Sequence, residues 1–186
     1  MRAQLESTLD LVRFGHMEAR RNIAALRPGN LEQLGLAEAL KQAGHAMVRD
    51  GPISITLSEY GETKPIPMRL ADPLFRIGQE AIANATRHGH PRHIDVRLAY
   101  SRSSVKLSVK DDGIGFAAPM ESNGYGIRGM KRRAGTIGAN LRIRSLPGHG
   151  TSVRVRAMLP KPLLNSWWRG FPGNFAWRQW LHGKAV

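Results

Sequence analysis

Residues 79–88 read QEAIANATRH. Ile77, Ala81, Ile82 and Ala85 recur at three- and four-residue steps, the spacing of a helix that packs one side on a core. Along the same stretch Glu80 and Asn84 fall one turn apart, and Arg87 and His88 follow one turn later. A helix that only fills a core has no need of a carboxylate, an amide and two bases along one strip. The polar edge of an ordinary amphipathic helix accounts for Glu80 and Asn84 as well, so the neighbouring chain has to decide.

Upstream, Asp72 and Pro73 predict the start of this helix as N-cap and first-turn proline, after a loop at KPIPMRLADP. PISITLSEY (52–60) alternates like a strand. Residues 3–26 carry Leu5, Leu9, Val12, Met17, Ile23 and Leu26 near helical spacing and stop at RPGN. Residues 31–48 predict a second helix, with Leu34, Leu36, Ala37, Leu40 and Met47 available to face the first. Downstream, HIDVRLAY (93–100) and SVKLSVKD (104–111) alternate, and the SRSS between them suits a hairpin. Residues 111–129, DDGIGFAAPMESNGYGIRG, predict a long glycine-rich loop; MKRRAGTIG continues as a helix. NLRIRS and TSVRVRAML are two more strands, separated by LPGHG. The fold expected is therefore α+β: a two-layer sandwich with a mostly antiparallel mixed sheet and helices on one face. Strands and helices do not alternate strictly, which excludes a doubly wound parallel sheet.

The chain has 186 residues, 41% of them hydrophobic, enough for one core and against wholesale disorder. Without cysteine it has neither disulfides nor a thiolate zinc site. Its formal charge of +14 favours phosphate-bearing or other anionic ligands. The bases are scattered apart from ARR, RGMKRR and RIR, so nucleic acid is not expected as a partner. No run of eighteen apolar residues appears, and the N-terminus lacks the apolar core of a secretory signal. Residues 161–186 hold all four tryptophans and no acid. They are expected to be a tail outside the domain, which is disordered, lies on a membrane surface, or is the product of a shifted reading frame.

Four pieces carry candidate chemistry: Glu80-x-x-x-Asn84 with Arg87; Asp111-Asp112-Gly113-Ile114-Gly115 at a strand end; Gly124-Tyr125-Gly126-Ile127-Arg128-Gly129; and Gly148-His149-Gly150-Thr151 leading into a strand. Each has a plain reading as a helix edge, a turn or a hairpin. The G-x-G-x-x-G spacing is weak alone and does not closely follow a strand. Together the glycine loops would let backbone N–H groups approach phosphates, and the following helix would offer its N-terminus. Asn84 offers a neutral oxygen suited to Mg²⁺. Arg87 can neutralise a phosphate. Glu80 can orient or deprotonate a nucleophile, and Asp111 can accept from an amino group such as that of adenine.

In this order, the pieces resemble the four nucleotide-binding boxes of the ATPase domain shared by histidine kinases, gyrase, Hsp90 and MutL, the GHKL or Bergerat type. QEAIANATRH is similar to the QEALxNAxxH box of the sensor histidine kinases that pair with LuxR/NarL-type response regulators. VKDDGIGF resembles VxDNGxGF, and residues 124–160 resemble the remainder almost without a gap. LVRFGHMEARRNIAALRPGNLEQLGLAEAL resembles the second dimerisation helix and its linker. The resemblance implies residues 1–48 as partial dimerisation and linker helices, 50–160 as the ATP-binding catalytic domain, and 161–186 as the tail. It implies ATP and Mg²⁺ as cofactors, with Asn84 on the metal and Asp111 on the adenine amine. Gly113 and Gly115 would shape the base pocket. Gly124, Tyr125, Gly126, Ile127 and Gly129 would lie at the lid over the phosphates, and Gly150 and Thr151 at the base side. Glu80 and Arg87 would be catalytic, Glu80 assisting rather than indispensable.

The activity implied is transfer of the γ-phosphoryl group to a histidine and then to a response regulator with a LuxR-type output domain. The alternative is an ATPase or ATP-gated binding module without kinase activity. The sequence lacks the family's E-L-H-D-like phosphoacceptor box. His16 lies in the wrong helix for that role, and His88 is expected to be a core or supporting residue. The isolated chain is therefore expected not to phosphorylate itself and to need the parent kinase's phosphoacceptor domain; homodimerisation is left open by the partial helix. The expected location is cytoplasmic, with any membrane anchor of the parent lying before residue 1.

Overall fold

The computed structural model describes residues 28–48, 51–117 and 125–160. In chain order these form α1 (Pro28–Val48), β1 (Ser54–Tyr60), α2 (Met68–Asn84) with a π turn (Ala85–Gly89), β2 (His93–Tyr100), β3 (Ser104–Asp111), α3 (Tyr125–Thr136), β4 (Asn140–Ser145) and β5 (Thr151–Met158). The helix expected over 3–26, His16 and the segment 161–186 lie outside the described residues.

Helix α2 organises the rest. Leu70, Ala71, Leu74, Ile77, Ala81 and Ile82 are buried at helical spacing and give it one apolar side. Burying each large side chain of that set is worth about 1.5–3 kcal/mol. The same requirement explains why the helix starts at Met68 and not at the expected Asp72–Pro73. Leu70 and Ala71 need to reach the core, so an extra turn forms before the proline. The backbone N–H groups of Leu70 and Ala71 both donate to the Pro67 carbonyl, and no side chain caps the start. Pro73 stands inside the helix.

The sheet has the order β1-β2-β3-β5-β4. β1 and β2 run parallel, Ser54 opposite His93 through Tyr60 opposite Ala99. A parallel pair needs a crossover, and α2 supplies it. The other three pairings are antiparallel, which gives the mixed, mostly antiparallel sheet expected. Ile94, Val96, Leu98, Val105, Leu107, Val109, Val153, Val155 and Ala157 turn to one side and are buried with the helices. The helix 28–48 adds Leu31, Leu36, Ala39 and Leu40 to that same core and breaks its helical path at Gly35. Leu34 and Met47, expected to face another helix, are exposed. Among the described residues no helix is long and apolar enough to cross a membrane.

Helix α3 begins at Tyr125, where the sequence predicts loop to residue 129. Gly126 and Gly129 cost about 1 kcal/mol each in a helix. Met130 and Ala134 are buried and Ile127 packs on the same core, and that apolar stripe outweighs the cost.

Candidate functional site

The C-terminal end of β3 delivers Asp111 into the interior; it and Ser104 are the buried polar or charged side chains among the described residues. Its position follows from strand parity: Val105, Leu107 and Val109 are buried, and Asp111 is the next residue on that side. The carboxylate Oδ1 accepts from the backbone N–H of Gly113 at 3.0 Å and of Thr151 at 3.2 Å. Burial pushes the Asp111 pKa up, against the two backbone hydrogen bonds that pull it down. The result is an acceptor fixed in direction and withdrawn from water.

Two glycines make room for it. A Cβ on Gly113 would run into the Gly89 carbonyl oxygen, and a Cβ on Gly150 into the carbonyl oxygen of Asp111. Gly150 also has a φ of +73°, which disfavours any side chain. Gly89 ends the π turn; its carbonyl accepts from the Ile114 N–H at 2.8 Å. The turn thus pins the end of the α2 helix to the loop after β3. Wide turns of this kind often occur at functional sites. Asp112, next along, faces solvent. Its Oδ1 accepts from the N–H groups of Arg92 at 2.8 Å and His93 at 2.9 Å. Those bonds, first that from His93, pull its pKa down. The two adjacent carboxylates are thereby driven in opposite directions.

Ser145, which the sequence reading did not single out, ties the other side of this cluster. Its hydroxyl accepts from the Phe116 N–H at 2.9 Å, lies 3.1 Å from the Gly150 carbonyl, and meets the Thr151 hydroxyl at 2.9 Å. One side chain therefore joins the loop after β3 to the hairpin before β5. Gly115 lies in this loop with a φ of +60°.

Glu80 and Asn84 share one side of α2, both half-buried. They face the first turn of α3: a Cβ on Gly126 would meet the Glu80 carboxylate and lie 3.3 Å from Asn84 Nδ2. Asn84 and Gly89 lie five positions apart, about 7.5 Å along a helix at 1.5 Å per residue. The structure thus joins Asp111, Gly113, Gly150 and Thr151 in one cluster and Glu80, Asn84 and Gly126 in a second beside it. Tyr125 opens α3 and is exposed; Ile127 and Gly129 follow on the same helix. Arg87 and His88 are exposed on the π turn. For His88, expected to be a core or supporting residue, this corrects the core alternative: the wide turn carries it past the edge of the packed side. Gly124 lies outside the described residues. A cleft of about 300 Å³ between α3 and β4 is lined by Ile127, Lys131, Leu141, Arg142, Ile143 and Arg144, and not by Asp111. Among the described residues no three His, Asp or Glu side chains gather to hold a metal by themselves.

Residues 69–162 match the family described as histidine kinase-, DNA gyrase B- and HSP90-like ATPase. The sensor protein VraS of Staphylococcus aureus strain COL is 34% identical over 152 residues, covering 81% of this chain and 43% of that protein. The VraS protein of Staphylococcus haemolyticus is 32% identical over 165 residues, covering 84% and 47%. The chain spans less than half the length of these curated relatives. Among solved structures, the histidine kinase domain of the blue-light activated kinase from Erythrobacter litoralis EL346 superposes with a TM-score of 0.58 at 21% identity, covering 67% of this chain and 61% of that one. The ATP-binding domain of PrrB from Mycobacterium tuberculosis gives 0.51 at 20% identity, covering 67% and 93%. Both likenesses are of fold.

Proposed function

The chain belongs to the histidine kinase-, DNA gyrase B- and HSP90-like ATPase family, and from that membership we propose that it is the ATP-binding catalytic part of a two-component sensor kinase. In this reading it binds Mg-ATP and passes the γ-phosphoryl group to a histidine on the parent's phosphoacceptor domain, for relay to a response regulator with a LuxR-type output domain. Residues 1–48 serve as partial dimerisation and linker helices, 50–160 as the catalytic domain and 161–186 as a tail.

The observation that carries this reading is the buried Asp111 carboxylate, aimed by the N–H groups of Gly113 and Thr151. A desolvated acceptor held that way suits an exocyclic amine. Asp111, Gly113, Gly115, Gly150 and Thr151 would surround the base. Asn84 would give its amide oxygen to Mg²⁺, whose other ligands would come from phosphate and water. The start of α3, with Tyr125, Gly126, Ile127 and Gly129, would lie toward the phosphates together with Gly124. Glu80 and Arg87 would assist transfer by orientation and charge. The nucleotide supplies the phosphoryl group; the protein positions it.

Calorimetry of ATP binding, with and without Mg²⁺, tests this on the wild type and Asp111→Asn. The expected result is micromolar-class binding that strengthens with Mg²⁺ and falls at least about tenfold in the variant, the loss expected for a charged hydrogen bond. A folded wild type that binds no ATP would sink the reading. The approach of Glu80 to Gly126 favours, as second reading, an ATPase or ATP-gated binding module.

A further inference from the structure

The side of the sheet away from the helices is a basic plane. Strand pairing arranges its outward residues in rows across the sheet. One row runs Arg97, Ser108, Arg154, Arg142; the next runs Tyr60, Ala99, Lys106, Arg156, Asn140; a third runs Asp95, Lys110, Ser152, Arg144. Asp95 is the acidic residue among these outward positions, and it is taken by Arg97 at 2.6 Å. Two like-charged pairs stand directly opposite each other, Lys106 with Arg156 and Arg142 with Arg154. Such pairs destabilise a sheet, offset at Arg156 in part by its Nε donating to the Ser104 hydroxyl at 3.1 Å.

The ends of this plane differ. The Asp111 cluster lies at the end where β3 finishes and β5 begins. At the opposite end Tyr60 is 51% and Met158 57% exposed. There β5 passes into a segment whose sequence holds Trp167, Trp168, Trp177 and Trp180 with no acidic residue. An amphipathic aromatic and a methionine beside a flat basic surface match the boundary of a bilayer, with its anionic headgroups and apolar interior. Nucleic acid fits less well: the interior of the basic rows presents no aromatic platform for bases and no projecting element for a groove.

We propose that the outer sheet face, with Lys106, Arg142, Arg154 and Arg156 at its centre, docks on an anionic lipid surface. In that pose Tyr60 and Met158 enter the interface, and the Asp111 end stays open to solution. The surface is separate from the nucleotide site, so the proposal stands or falls apart from ATP binding.

The test is co-sedimentation of the full chain with vesicles of phosphatidylcholine alone or with about one-third phosphatidylglycerol. Binding is expected only to the anionic vesicles, weakening as salt shortens the screening length. Lys106→Glu with Arg156→Glu should reduce it at least about tenfold. Should that variant misfold by circular dichroism, Arg142→Ser with Arg154→Ser replaces it, because neutral residues remove an unfavourable pair. Asp111→Asn should bind vesicles as the wild type does. Equal binding to neutral vesicles would overturn the proposal. So would unchanged binding by the folded charge variants, including the case in which only Trp167→Ser with Trp168→Ser abolishes it. Full displacement from vesicles by equimolar duplex DNA would overturn it too, in favour of a nucleic-acid surface.

Discussion

The buried Asp111 carboxyl is costly to ionise. Its pKa is raised mainly by burial, so ionisation costs the folded state more than the unfolded one. The linkage sign follows: the fold is favoured while the carboxyl is protonated, and that advantage is lost as pH rises from the unfolded value of about 3.9 through the raised folded one. Asp111→Asn keeps an oxygen to accept from Gly113 and Thr151 but carries no charge. Its thermal midpoint should match the wild type below about pH 4 and exceed it at neutral pH. Its ATP affinity should fall over the same neutral range. A variant equally destabilised at every pH would show that the carboxylate is a structural anchor. Gly150→Ala should act the opposite way on stability. It sets a side chain at a φ of +73° and into the Asp111 carbonyl, and the expected loss is about 2–4 kcal/mol in urea unfolding. Asp111 was legible in the sequence because Asp-Asp-Gly closes an alternating strand. Ser145 and Gly89 were not, since their roles come from contacts 29 residues away with Phe116 and with Ile114 across the π turn. Neither contact leaves a local spacing to read.

At the scale of elements, the described strands were legible because alternation and burial share one period. Boundaries failed where packing overruled local preference. Asp72–Pro73 is a good start signal, yet the core needed Leu70 and Ala71. Gly126 and Gly129 read as loop, yet Met130 and Ala134 drew the chain into a helix. The π turn was invisible because a five-residue change of pitch barely disturbs an apolar pattern. The contact between α1 and α2 gives a sharp test of this packing. A Cβ on Gly78 would lie 2.6 Å from Leu40 Cδ2 and 3.2 Å from Leu107 Cδ2. Both leucines are buried to within 1%, so neither has space to retreat. Gly78→Val should cost about 1–3 kcal/mol by overpacking, with an unchanged denaturant slope. A neutral outcome would mean that α1 sits loosely on the domain and is free to move against it.

At the scale of the whole molecule, the question is whether the bound phosphoryl group has anywhere to go within the chain. The first cluster suits holding a base, and the second places Glu80 and Asn84 at the start of α3, where charge could be managed during transfer. Among the described residues neither cluster includes a histidine; His16 and His182 lie outside them. His45, His88, His90 and His149 are exposed. His93 is engaged on the outer sheet, its ring nitrogens meeting the hydroxyls of Ser54 at 2.8 Å and Thr56 at 3.1 Å. Transfer needs the acceptor nitrogen in line within about 3–3.5 Å of phosphorus, and the rigid packing of β2 keeps His93 from meeting that demand. The full chain incubated with γ-labelled ATP and Mg²⁺ should therefore acquire no acid-labile label. Slow release of inorganic phosphate is compatible with this, and Glu80→Gln then separates the two readings of the site. Should release fall more than about a hundredfold in that variant, Glu80 is a base acting on water and the ATPase reading gains. Should release be negligible in both proteins while ATP binds, the chain is a donor waiting for its phosphoacceptor domain. Label that is stable to alkali and lost in acid would instead mark a histidine within the chain, with His16 the first to replace, and would refute the requirement for a separate acceptor.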